Sequence, residues 1–256
     1  KMVLQSSGGF YGQTLVNLDL GSQVLSGTDD LVAISNSSLV VSVLLAGAPP
    51  YMAARMGSTT LYSSYGVPNR ANLYRTDGTP GGSQIVTTIP NAVSTLALLT
   101  SVGSNVFFVA RTYPGHGSEL WISDATAGGT REVKDIQVGA ASSIWGQLTA
   151  VGSTLFFAAN DGTNGVQLWK SDGTELGTIL VKDINPGSAY STPSDLLAIG
   201  STLYFVATDA AGGREVWKSD GTEGGTVPVA DVVPGAAGSS PSRLLALGSN
   251  LVFFAN

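Results

Sequence analysis

Leu168–Thr178 reads LWKSDGTELGT, and forty-eight residues later Val216–Thr226 reads VWKSDGTEGGT. Upstream, LWISDATAGGT begins at Leu120 and LYRTDGTPGGS at Leu73. One hairpin phrase written four times at near-constant spacing marks stacked structural units. A second anchor, Gly-Ser ahead of an apolar run, recurs at Gly57, Gly103, Gly152, Gly200 and Gly248, spaced 46, 49, 48 and 48. A worn copy, GQTLVNLD (Gly12–Asp19), aligns with GVQLWKSD (Gly165–Asp172). The chain thus holds five copies, the first longer by about ten residues.

Each unit reads as four short strands. In the fourth copy they fall at Gly146–Val151, Thr154–Asn160, Val166–Ser171 and Thr178–Asp183, separated by Gly, Asp, Asn, Ser or Pro. The second strands, NVFFVAR, TLFFAAN and TLYFVAT, are nearly continuous apolar runs, where a strand with one wet face would alternate. A small sheet buried on both faces must stand between others like it. Radial stacking of such sheets is a β-propeller, whose blades repeat every 40–50 residues or so. The fold class expected is therefore all-β, a single five-bladed propeller over residues 1–256. Its repeats run at about 1–56, 57–102, 103–151, 152–199 and 200–247, with 248–256 closing the ring. SDGT reads as a tight turn between third and fourth strands, because Asp accepts backbone hydrogen bonds and Gly takes positive φ. Trp169 and its equivalents Tyr74, Trp121 and Trp217 read as wedges between blades.

The phrases ELWISDATAGGT, QLWKSDGTELGT and VKDINPGSAYSTPSDLLAIGSTLYFVATD resemble the ELWxxDGT repeat of bacterial secreted or surface proteins. The match is specific over about 103–256 and looser over 57–102; the first copy lacks DGT and carries an insertion. The resemblance implies an extracellular or surface repeat protein and brings no catalytic residues, since the defining motif is the hairpin itself.

Composition narrows the partners. A net charge of −6 with no basic cluster excludes a nucleic-acid or anionic-membrane surface, which needs concentrated Lys and Arg. The absence of cysteine removes disulfides, zinc-thiolate sites and thiol nucleophiles. The longest apolar run, Leu39–Ala48, is broken by Ser42 and stopped by Pro49-Pro50, well short of the roughly 18 residues of a transmembrane helix. Lys1 in the place of Met points to processing or excision.

Catalytic motifs are missing: there is no GxSxG, HExxH, P-loop or dinucleotide fingerprint. The single histidine, His116, lies in the Gly-rich loop RTYPGHGSELW and reads as an exposed loop residue. Most acids recur at equivalent positions, as in Asp161 with Asp209, Asp172 with Asp220 and Asp183 with Asp231, whereas a glycosidase pair should break the repeat. Asp195 breaks it, facing Arg243 in the next copy. NDGTNG (Asn160–Gly165) is rich in oxygen ligands but lacks the regular calcium-loop pattern, so it reads as a turn. No enzyme activity, metal or cofactor is expected.

An up-down sheet places uniform turns at one end and, at the other, loops that differ from copy to copy: SSYGVPNRA, RTYPGHGS, NDGTNG, TDAAGGR, QVGAASSIW and NPGSAYSTP. Variable loops on a rigid ring are where recognition is expected. Tyr65, Arg70, Tyr113, His116, Trp145 and Tyr190 are the candidate binding residues there. The functional expectation is a non-catalytic extracellular or cell-surface module, lectin-like, with carbohydrate or another surface protein as partner. The alternatives are a structural repeat segment with no small ligand and a propeller glycosidase. Ring closure is expected from Leu251–Asn256 pairing with Thr14–Asp19, against competition from Met2–Gln5, which also aligns as a second strand.

Overall fold

The computed structural model describes residues 50–256 apart from 68, 69, 80, 95 and 188, and the backbone of Met2–Val3 and Asn17–Leu18. The last two are strands β1 and β2. Residues 1, 4–16 and 19–49 of the first repeat lie outside the described residues.

Four antiparallel sheets of four strands follow in chain order. The first comprises β3 (Pro50–Met56), β4 (Thr59–Val67), β5 (Arg70–Thr76) and β6 (Gln84–Pro90). The second comprises β7 (Ala97–Val102), β8 (Asn105–Thr112), β9 (Gly117–Ser123) and β10 (Arg131–Lys134). In the third are β11 (Ile144–Val151), β12 (Thr154–Asn160), β13 (Val166–Ser171) and β14 (Ile179–Lys182). In the fourth are β15 (Ser194–Ile199), β16 (Thr202–Asp209), β17 (Gly213–Ser219) and β18 (Val227–Pro228). A fifth sheet holds two strands, β19 (Ser242–Leu247) and β20 (Asn250–Phe254). Among the described residues there is no helix.

The first strands of successive sheets lie beside one another, β3 with β7, β7 with β11, β11 with β15 and β15 with β19. The sheets therefore fan outward from a shared inner row and stack face to face, an all-β, propeller-like arrangement. The apolar second strands explain the stacking. Val106, Phe108 and Ala110 of β8 enter the core shared with the first sheet, while Phe107 and Val109 enter the core shared with the third. In β12, Leu155, Phe157 and Ala159 face the second sheet and Phe156 faces the fourth. Period-two alternation delivers apolar side chains to two different cores, so neither face is left for water.

The expected wedge holds in register. Tyr62 pairs with Tyr74, Phe108 with Trp121, Phe157 with Trp169 and Phe205 with Trp217. Ring centroids stand 5.2 Å, 6.2 Å and 6.5 Å apart in the first, second and fourth sheets. Trp169 and Trp217 are buried against the preceding sheet, and Trp121 packs on the core shared with the first. Such a pair contributes about 0.5–1.5 kcal/mol beyond its buried area.

Two expectations are corrected. The turn after the third strand is not a tight hairpin: it runs from Asp172 to Thr178 between β13 and β14. Inside it Asp172 Oδ1 accepts from the Thr174 amide and hydroxyl, and the Thr178 hydroxyl donates to the Thr174 carbonyl. Secondly, the expected pairing of Leu251–Asn256 with Thr14–Asp19 is not formed among the described residues. β20 pairs with β19, and Asn17–Leu18 pairs with Met2–Val3, Met2 opposite Leu18. Met2 and Leu251 occupy the same position of the repeat, and the strand nearer in sequence, with the shorter loop to close, takes the place.

Candidate functional site

At the variable-loop end, the second, third and fourth sheets each tie down the connection that follows. Glu119 of β9 accepts from the Ile136 amide at 3.2 Å, the Ser143 amide at 3.1 Å and the Ser143 hydroxyl. Gln167 of β13 does the same with the Ile184 amide and the Ser191 hydroxyl, and Glu215 of β17 with Ser239. All three side chains are buried. Burial pushes the Glu119 carboxyl up to about 8, against the lowering effect of the Ser143 and Ile136 donors. The polar residue ahead of LW was missed as a structural residue; its recurrence as Glu, Gln and Glu was the available signal.

The six expected binding residues are spread over this end. The Tyr65 side chain lies outside the described residues, and Arg70 is exposed at the start of β5. Tyr113, Trp145 and Tyr190 are exposed, on three separate connections or strand ends. His116 is exposed as expected, but it is engaged: Nδ1 lies 2.8 Å from Glu132 Oε1 and Nε2 lies 3.8 Å from Asp135 Oδ2. The Glu132 hydrogen bond and charge raise its pKa. A cavity of about 210 Å³ at this end, lined by Asp209, Glu215, Trp217, Pro228 and Asp231, includes none of the six.

Asp161 Oδ1 accepts from the Thr163 and Asn164 amides and Oδ2 from the Asn164 side chain, so the NDGTNG loop uses its carboxylate to hold itself. Asp195, which broke the repeat, sits with φ 52° where the first strand bulges, as do Leu98, Gly146 and Arg243. Among the described residues no group of three His, Asp or Glu side chains could hold a metal ion.

The other distinctive surface is the exposed flank of the fourth and fifth sheets. Phe253 of β20 occupies the position of Phe108, Phe157 and Phe205, all buried beside a third-strand aromatic. It has no such partner, because β20 is hydrogen-bonded on one edge alone among the described residues. Val229 and Val232, at 42% and 45% exposure, stand where Val133, Val181, Ile136 and Ile184 are buried. On the opposite face Leu245, Leu247, Val252 and Phe254 are also exposed. An unpaired edge flanked by apolar side chains is a template for strand addition.

No family model and no curated protein matches the sequence. Solved structures do match. TolB from Acinetobacter baumannii is 14% identical, with 80% of this chain and 51% of that one covered and a TM-score of 0.44. Prolyl oligopeptidase B from Galerina marginata is 13% identical, with 78% and 29% covered and a TM-score of 0.49. Pyrococcus horikoshii acylaminoacyl peptidase is 13% identical, with 71% and 27% covered and a TM-score of 0.45. The chain spans about half the length of TolB and under a third of the peptidases. The likeness is one of fold. The functional expectation is corrected to that extent: the similar solved structures include peptidases, and a non-catalytic, lectin-like role is not shown.

Proposed function

We propose that the chain is a propeller-like scaffold that takes up a polypeptide strand at its fifth sheet. The observation that carries the reading is Phe253. In four sheets the equivalent aromatic is covered by a cross-strand aromatic; in the fifth Phe253 is half-buried against Val206, Val216 and Leu244, its strand has one unpaired edge among the described residues, and Val229 and Val232 nearby are exposed. Main-chain hydrogen bonds along such an edge supply affinity, and side-chain pockets beside it supply selectivity. The partner is a protein, acting outside the cytoplasm as the resemblance to the ELWxxDGT repeat implies.

The test is selection of displayed peptides on the intact chain, counter-screened against Phe253→Asp, which places an unpaired carboxylate on the open edge. Enriched peptides that the variant no longer retains are expected. Peptides retained equally by both proteins, or no enrichment at all, would overturn the reading.

A further inference from the structure

One position of the repeat is filled differently in three successive sheets. Five residues ahead of the third-strand tryptophan stand His116, Asn164 and Gly212. In each sheet the backbone amide there donates to a side chain at the end of the second strand: to Thr112 Oγ1 at 3.3 Å, Asp161 Oδ1 at 2.8 Å and Asp209 Oδ1 at 2.6 Å. The loops are therefore built alike and differ in what the side chain brings. The His116 imidazole turns its nitrogens to Glu132 and Asp135, and the Asn164 amide donates to Asp161 Oδ2 at 2.7 Å. Gly212 brings no donor. Asp209 Oδ1 holds the Ala211 and Gly212 amides, and Oδ2 has no partner among the described residues.

The space beside Gly212 is the cavity of about 210 Å³. Asp209 and Asp231 line it, Asp231 standing where the second sheet has Asp135, and Trp217 and Pro228 give it an apolar wall. Glu215 and Trp217 alternate along β17 and share a face, the one packed with Phe156 and Val181 of the third sheet. The cavity thus lies on the side of one four-stranded sheet turned towards another, and no residue of β19 or β20 lines it. Glu215 is occupied by Ser239, and Lys182 donates to the Thr226 and Glu223 carbonyls. Among the described residues neither Asp209 nor Asp231 has an ion-pair partner. We propose that this cavity binds a cationic nitrogen, an alkylammonium or guanidinium group on an apolar stem. Its N–H groups meet Asp209 Oδ2 and Asp231, and its stem lies against Trp217 and Pro228. The second sheet supplies a nitrogen group to the corresponding place from His116 and the third from Asn164; the fourth takes it from outside. Pockets for drug-sized ligands hold roughly 300–1,000 Å³, so about 210 Å³ takes a group the size of one side chain. Charge-assisted hydrogen bonds are about twice as strong as neutral ones, which selects a cation over an alcohol of the same shape.

The experiment titrates n-butylammonium chloride, and separately butanol, into the isotope-labelled intact chain and follows the amide NMR signals of Gly212 and Gly213. Saturable shifts are expected with the ammonium and none with the alcohol. Asp209→Asn keeps an acceptor for the loop amides and should weaken binding at least about tenfold. Gly212→Asn restores the arrangement of Asn164 and fills the cavity. A Cβ there meets Asp209 Oδ1 alone, at an ordinary 3.5 Å, so the fold is kept while the shift at Gly213 is lost. N-acetyl-lysine amide then separates the two sources of this chemistry. Affinity at least about tenfold above that of n-butylammonium assigns the site to a side chain of a polypeptide, and no gain assigns it to a free amine. Equal shifts with butanol, binding retained by both variants, or no saturation into the tens of millimolar overturns the proposal.

Discussion

Gly173, in the turn of the third sheet, lies against Ile122 of the second: a Cβ on Gly173 would fall 2.6 Å from Ile122 Cδ1. Its φ of +92° is a second reason for glycine. The turn is thus also a contact between sheets, clamped from the other side by Arg131 on its carbonyl. Gly173→Ala should destabilise the protein by about 1–3 kcal/mol, read from denaturant midpoints. Ala125 holds the same place in the second sheet at φ +69°, so Ala125→Gly should trade relief of backbone strain against lost packing and change little. Equal effects at the two positions would refute the contact.

The repeated aromatic residues carry stability. Trp169 sits in the core between the second and third sheets, with the Lys134 ammonium 5.9 Å from its ring centroid. Trp169→Ala should cost about 3–5 kcal/mol, as large-to-small changes at buried aromatics do. Trp145, half exposed at the loop end, should cost under about 0.5 kcal/mol when changed to Ala, as surface substitutions do. Similar melting temperatures for the two variants would show that the ring of Trp169 is not the wedge described.

What the sequence made legible follows from what the repeat conserves within this one chain. The strands of the third sheet are placed to within one or two residues, because apolar runs and Gly-Ser turns recur in step. Two-sided burial was legible from NVFFVAR and TLFFAAN for the same reason. The Glu119–Ser143 clasp was not, since it joins side chains 24 residues apart whose pairing depends on how the connection folds back. The exposed flank was hidden for a different reason: exposure of Val229 and Val232 is a property of what lies beside them, which their own letters do not encode.

His116 is a surface ion-pair residue in the structure. Its pKa is raised, so any stabilisation by the Glu132 pair is fully present below the ordinary histidine value of 6.5 and is lost as pH rises through the raised value. At its exposure the pair is worth under about 1 kcal/mol. His116→Ala should therefore narrow, by a small amount, the stability difference between acidic and alkaline buffer, as read from melting temperatures. A drop of many degrees, equal at both pH values, would mean that the loop depends on the imidazole for packing instead of charge.

Glu119 gives the same sign over a wider window. Its folded carboxyl titrates near 8, raised by burial from the ordinary 4.5. Below the ordinary value the group is protonated in both states and contributes no pH dependence. Between 4.5 and 8 the unfolded chain gives up the proton while the folded chain keeps it, so stability falls as pH rises. Above that window the loss is complete, and at about 1.4 kcal/mol for each unit it amounts to roughly a few kcal/mol. Gln167 performs the same clasp in the third sheet with no ionisable proton, accepting from the Ile184 amide and the Ser191 hydroxyl. Glu119→Gln should therefore match the parent protein under acidic conditions and become progressively more stable than it towards alkaline pH. Denaturant midpoints for both proteins across that window decide the matter. Curves that run parallel would mean that the carboxyl stays ionised in the fold and that the Ser143 and Ile136 donors outweigh its burial.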